Sequence, residues 1–316
     1  MLLSRRDAIK LGLGLGAAGL AGYGGPAELM ASRPRFAQTG GLITKPIPSS
    51  GERIPVVGIG TARRYNVGAR AAERAPLREV LEAFPDLGGK LIDTAPSYGT
   101  AEPVVGDLLA ELGNRDRYFL ATKVGVRNTL DGPGQIERSF EHLKTEMIDL
   151  IQVHNMRDYQ NQLAYLRDLK ADGRIRYVGI TTSSARQHEA FAAMMEAEDG
   201  VDVVQVDYSL ANRAVEERIL PVAADRGMAV LCNLPFGRGL LFDTVGDRPL
   251  PEWASEFDGE SWAQFFLKYL VSHPAVTCAI PGTATTEYVR DNMGAARGRL
   301  PDDALRRRMV EFYDAL

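Results

Sequence analysis

The sequence predicts a (β/α)8 TIM barrel in a single domain, and three observations carry that reading. Eight short apolar, β-branched runs alternate with longer segments whose apolar residues recur at helical spacing. The runs are continuously apolar, as parallel strands covered on both faces require. From Arg53 onward no reversal or change of composition interrupts the beat, and the length suits a fold of about 250 residues.

The elements follow in order. LITKPIPSSGERIPVV reads as an N-terminal β-hairpin capping the barrel floor, turning at Ser49-Ser50-Gly51. The barrel strands are expected at 55–60, 90–94, 117–123, 149–154, 175–181, 201–208, 228–234 and 276–282. Between them LREVLEAF, AEPVVGDLLAEL, QIERSFEHLK, NQLAYLRDLKADG, ARQHEAFAAMMEAE, RAVEERILPVAADRG and SWAQFFLKYLVSH have helical periodicity. Gly113, Gly173, Gly200 and Gly227 stand where a helix must stop and turn back. Residues 234–259 read as an irregular loop long enough to be functional. A doubly wound sheet would need a glycine-rich phosphate turn after its first strand. Gly58-Ile59-Gly60 lacks the third glycine and runs into Arg63-Arg64.

Charge and composition narrow the partners. The 316 residues carry a net charge of −4 and a pI of about 5.7, which gives nucleic acid nothing to bind. Cys232 and Cys278 both lie inside apolar runs and read as buried thiols, with pairing open only if adjacent strands bring them together. Residues 1–37 are a different kind of sequence. Ser4-Arg5-Arg6-Asp7-Ala8-Ile9-Lys10 precedes LGLGLGAAGLAGYGG, then Pro26 and small residues, in the pattern of an export signal. The middle is too short and too weakly apolar for a membrane span. The arginine pair resembles a twin-arginine signal, with a membrane anchor or a chance amphipathic helix as the other readings. Export machinery is thus an expected partner and the periplasm the expected location. Cleavage is expected between Ala31 and Ala37, leaving a domain over 38–316 without a stable membrane span. Removing residues 1–37 takes away five basic and two acidic residues and leaves a charge of −7.

Catalytic groups of a barrel sit at the C-terminal ends of its strands. The polar residues found there are Asp93, Lys123, His154, Thr181, Gln205 and Asn233, and Tyr98 follows Asp93 in the same loop. Reducing a carbonyl by hydride leaves an alkoxide that needs a proton as it forms. A phenol near pH 10 is a sluggish acid, and a cationic lysine beside Tyr98 would lower its pKa. Asp93 would hold Lys123 charged and aimed, and His154 would orient the substrate oxygen. Each residue also has a plainer reading, as a rim ion pair, a core histidine or a packed ring; joint placement favours chemistry.

LIDTAPSYGTAE, FLATKVG, DLIQVHNM, GRIRYVGITTSS, VVQVDYSL and AIPGTATTEYVRDN resemble the aldo-keto reductases in order and spacing, from about Lys45 to Leu316. The resemblance implies a catalytic tetrad of Asp93, Tyr98, Lys123 and His154, the four reached above, and a small carbonyl compound as substrate. It implies NADPH as cofactor, with NADH left open. It places cofactor contacts at Thr61, at Thr181 and Thr182 (where the family usually has Ser-Asn) and at Gln205 on the carboxamide. Asn233, Leu234, Pro235, Phe236, Gly237 and Leu241 match the loop over the pyrophosphate, and Pro281, Gly282, Thr283 and Asn292 the phosphate and adenine end. Two positions depart from the pattern. Asn233 stands where a tyrosine often stacks on the nicotinamide. Tyr288 stands where a basic residue often grips the 2′-phosphate, with Arg290 the nearest substitute. Backbone amides at the helix after Thr283 would suit a phosphate.

Other chemistries fit less well. A lysine Schiff base would be hindered by Asp93, which keeps the amine protonated. A metal site lacks ligands, since of four histidines only His154 ends a strand. A non-catalytic, nicotinamide-binding sensor barrel is the competing function. Pocket loops are expected around Arg63-Arg64-Tyr65, Val126-Arg127, Asn155-Met156-Arg157 and 238–258. Arg127 and Arg157 would suit an anionic or polar carbonyl compound, or simply be solvated.

Overall fold

The floor of the molecule is built first. In this computed structural model, which describes residues 40–316, the chain begins with a hairpin of β1 (Thr44–Pro46) and β2 (Arg53–Pro55), paired antiparallel. The export signal expected over residues 1–37 lies outside the described residues. The Ser50 and Gly51 amides both reach the Ile47 carbonyl. Gly51 has φ +75°, which glycine adopts without strain, so the turn falls where expected. Ile47 and Ile54 are buried together with Leu91, Phe119, Tyr177, Val203 and Ala229 inside the barrel, and thereby plug its lower end. Lys45 fixes the hairpin by donating to the His273 and Val276 carbonyls, each at 2.7 Å.

Eight parallel strands follow: β3 (Ile59–Gly60), β4 (Leu91–Asp93), β5 (Phe119–Val124), β6 (Ile148–Val153), β7 (Ile175–Thr181), β8 (Val203–Asp207), β9 (Ala229–Asn233) and β10 (Cys278–Ala279). They form one sheet in sequence order. Bridges from Val57 to Ala279 and from Gly60 to Gly282 join its two outer strands and close the barrel. The seam explains why β3 and β10 are shorter than the runs 55–60 and 276–282. A Cβ on Gly60 would lie 2.7 Å from the Ile280 carbonyl oxygen, and one on Gly58 2.9 Å from that of Leu91. Glycine lets the backbones approach there at the expense of a regular ladder.

Helices α1 (Ala71–Asp86), α2 (Ala101–Leu112), α3 (Asp131–Leu143), α4 (Tyr159–Ala171) and α5 (His188–Ala197) cover the sheet as the periodicity predicts. All four stop glycines are left-handed, with φ between +61° and +73°. Segment 213–227 splits into a 3-10 turn at Ala214–Glu216 and α6 (Ile219–Asp225). Pro221 has no amide for the helix to extend backwards through. The loop 234–259 is more ordered than expected, holding α7 (Leu240–Val245) and a 3-10 turn at Glu252–Phe257. Aromatic packing is the cause: Phe242 lies against Phe236 and Phe266, and Trp253 against Phe257 and Phe265.

After α8 (Trp262–Ser272) and α9 (Thr286–Gly294) comes a helix not expected from the strand–helix beat, α10 (Asp303–Asp314). Arg306 docks it, donating to Glu216, to the Tyr208 hydroxyl and to Ser272. Both cysteines are free and buried, on opposite faces of the sheet. Cys232 packs in the layer under the helices and Cys278 inside the barrel. Among the described residues no helix is long and apolar enough to cross a membrane, and no group of metal-ligating side chains is assembled.

Candidate active site

Strand register brings the predicted residues to one mouth. Asp93 ends β4, Lys123 sits in β5 opposite Gln152 of β6, and Gln205 in β8 pairs with Thr181 of β7. Lys123 Nζ lies 2.6 Å from Asp93 Oδ2 and donates to the Thr94 carbonyl at 2.8 Å. The two residues are 1% and 2% exposed, so each charge depends on the other. Burial pulls the lysine down, yet the Asp93 charge and the contacts with Asp93 and Tyr98 leave it above its ordinary value. Lys123 is therefore a cation at neutral pH.

Tyr98 stands over that cation, with Nζ 5.0 Å from its ring centroid. Burial raises its pKa more than Lys123 lowers it, and Asp93 adds to the rise. The lysine acts in the direction expected, but the net shift is opposite to the sequence expectation, because the phenol is more deeply desolvated than a rim residue would be. The phenol thus stays protonated in the resting site.

The His154 ring meets Tyr98 edge to face at 6.0 Å, and its Nδ1 lies 3.4 Å from Ser97 Oγ. A Cβ on Gly125 would come within 3.0 Å of His154 Cβ, so glycine there leaves the ring its place. Burial, then the charges of Lys123 and Arg157, push its pKa down to about 3, and the imidazole is neutral. The unfolded chain takes up a proton below about pH 6.5 that the native site refuses, so this contribution is lost as pH falls from there toward 3. Between pH 7 and pH 5 the wild type should lose about 2 kcal/mol more than His154→Asn, read from urea midpoints. Parallel losses in both proteins would show that His154 is not held neutral.

Gln152 is the residue that sequence reading missed. It is fully buried, and its amide donates to Asp93 Oδ1 at 3.1 Å, beside the Gln205 amide at 2.8 Å. The signal was present: Gln152 lies two residues before His154, inside the apolar run that His154 ends.

The cofactor candidates follow the neighbouring strands β7 to β10 and, across the seam, β3. Thr61 hydrogen-bonds the Asp93 carbonyl through amide and hydroxyl, both at 3.0 Å. The Thr181 hydroxyl accepts from the Asn155 amide at 3.0 Å, and that of Thr182 donates to Gln187 at 2.8 Å. Asn233 donates to the Thr182 carbonyl at 3.0 Å, while its own Oδ1 is buried with no partner. Leu234, Pro235, Phe236 and Gly237 form the turn after β9, where Leu234, Gly237, Arg238 and Gly239 are all left-handed. Leu241 is fully buried in the core, unlike the turn residues before it. Asn292 donates to Thr283 Oγ1 at 3.0 Å, and that hydroxyl to the Pro281 carbonyl, which fixes the loop around Gly282. The Arg64 side chain lies across Gly282. These residues fit a dinucleotide: an orphaned amide oxygen beside Gln205, a turn of left-handed residues that can gather backbone N–H groups, and the start of α9.

A closed barrel whose mouth holds a buried Asp–Lys pair beneath a protonated phenol and a neutral imidazole has the layout of an enzyme of the TIM-barrel class. The residue pattern of the Aldo/keto reductase family matches residues 56–308, and the chain belongs to that family. It is 31% identical over 258 residues to the methylglyoxal reductase YeaE of Escherichia coli (strain K12), covering 78% of this chain and 88% of that one. It is 33% identical over 178 residues to the aldo-keto reductase YhdN of Bacillus subtilis (strain 168), spanning 52% of this chain and about half, 53%, of that relative's length. Among solved structures, an aldo/keto reductase from Klebsiella pneumoniae in complex with NADP and acetate superposes with a TM-score of 0.71. That pair is 28% identical and covers 83% of this chain and 93% of the other.

Proposed function

We propose that the protein reduces an aldehyde or ketone to the alcohol with NADPH, Tyr98 acting as the proton donor. One observation carries this reading: Lys123, locked to Asp93 at 2.6 Å, lies under a phenol that burial keeps protonated. The reduced nicotinamide supplies a hydride when bound. A carbonyl reduced in this way would be left with an oxygen that needs a proton. Tyr98 gives its phenolic proton to that oxygen, and the phenolate left behind is stabilised by Lys123 and reprotonated from solvent. His154, being neutral, donates or accepts at the substrate oxygen without adding charge. Asp93, held by Gln152 and Gln205, keeps the lysine aimed.

Gln205 and Asn233 would hold the nicotinamide end, the turn after β9 the pyrophosphate, and the region of Gly282, Thr283 and Asn292 the adenosine end. NADPH is favoured by the NADP-bound relative and by the exposed Arg64 and Arg290 near that end. Titrating the full chain with NADPH and with NADH, following quenching of Trp253 and Trp262 emission, tests the cofactor. Turnover of methylglyoxal, the substrate named for the E. coli relative, tests the reaction. Absence of binding by either nucleotide would overturn the proposal.

We also propose that residues 1–37 direct export by the twin-arginine route, so that residues 38–316 act in the periplasm. The Arg5-Arg6 motif and the weakly apolar stretch after it support this. Cell fractionation finding the intact chain only in the cytoplasm would reject it.

A further inference from the structure

We propose that Arg157 is a specificity-determining residue that pairs with a carboxylate on the substrate, so that the preferred substrates are oxo acids, aldehydes or ketones carrying an acid group. This rests on the reductase reading above. Several guanidinium groups on the walls and floor of the barrel are answered by carboxylates: Arg74 by Asp107, Arg115 and Arg176 by Asp149, Arg167 by Glu198. Arg157, exposed at the mouth three residues after His154, has none within 4.0 Å. Its one side-chain hydrogen bond goes to the Gly125 carbonyl at 3.2 Å. Gly125 in turn sits against His154, where even a Cβ would crowd the ring. The charge of Arg157 is also among those that hold the imidazole neutral. An anion docked on Arg157 therefore lies beside the reacting centre.

The neighbouring carboxylate does not neutralise it. Asp158 faces helix α4, accepting from Asn161 at 2.6 Å and from Gln162 at 2.8 Å. The turn that separates the two charges is conformationally costly. Asn155, Met156 and Asp158 are left-handed, with φ of +52°, +58° and +50°. It is held in that shape from several sides: Thr181 accepts from the Asn155 amide, Gln187 donates to its carbonyl, and Ser183 donates to its side chain. One donor of the guanidinium fork is used on Gly125, which leaves a planar face for bidentate contact with a carboxylate. Arg127, exposed on the adjacent loop and likewise without a carboxylate, adds to the positive potential.

The test compares 4-formylbenzoate with its methyl ester, which has nearly the same shape and no charge. With saturating NADPH, the full-length wild type should show a kcat/KM at least tenfold higher for the acid, mainly through KM. In Arg157→Gln the acid-to-ester ratio should fall at least tenfold, and Arg157→Lys should recover part of it, keeping charge without the fork. The wild-type preference should shrink between low and 0.5 M salt, a condition chosen at roughly a fifth of the screening length of dilute buffer. Equal losses for both substrates in Arg157→Gln would mean the residue only shapes the loop. A wild type that reduces the ester without preferring the acid would overturn this inference alone. One that reduces neither aldehyde would overturn the reductase reading together with it.

Discussion

Tyr98→Phe should lower kcat for aldehyde reduction by about 10²–10⁴-fold while leaving nucleotide affinity within about threefold. The substitution removes only the hydroxyl. The ring keeps its edge-to-face contact with His154 and its place over the Lys123 ammonium, so packing of the mouth is preserved. No other group there is a ready acid. His154 is neutral with its pKa pushed down to about 3, and Lys123 is held charged by Asp93. Steady-state kinetics on methylglyoxal with a parallel NADPH titration would measure both quantities. A variant retaining a tenth of the wild-type kcat would show that the proton comes from elsewhere.

Lys123→Met should be damaging twice over, to stability and to rate. Removing one member of a fully buried ion pair leaves the Asp93 carboxylate with only the Gln152 and Gln205 amides, at a cost of about 3–5 kcal/mol. The folded pKa of Lys123 is raised above its ordinary value, so the stability it confers is complete below about pH 10.5 and is lost as pH rises through the folded value. The stability gap between wild type and variant should therefore be flat from pH 7 to pH 9 and narrow above it. Urea denaturation across that range checks this, and a gap that closes below pH 9 would contradict it. In the variant that still folds at low temperature, the phenolate formed at Tyr98 loses its counter-charge, and kcat should fall by about 10²-fold or more. A kcat within threefold of the wild type would remove Lys123 from the chemistry.

The distribution of these effects follows from how the site is assembled. Asp93, Lys123 and His154 were legible because each is a charged or titratable residue ending an apolar run, and Tyr98 because it follows Asp93 closely. Gln152 was hidden inside such a run as an uncharged residue, and nothing in the chain said that its amide would meet Asp93 across an intervening strand. The sign of the net shift at Tyr98 was likewise hidden. A neighbouring lysine is visible in sequence, whereas the depth of burial that outweighs it is a sum over several loops.

What the sequence by itself determined is the alternation of buried runs and amphipathic segments, the glycines that stop the helices, and the identity of the groups at the strand ends. These are local properties, set by backbone conformation and by which side chains tolerate burial. Tertiary structure alone decided the seam at Gly58 and Gly60, the docking of α10 through Arg306, the opposite facing of the two cysteines, and the isolation of Arg157 from Asp158. Each of those depends on which distant residue comes within a few ångströms. Closing the barrel brings residues more than two hundred positions apart into contact, and no local pattern along the chain records which ones meet.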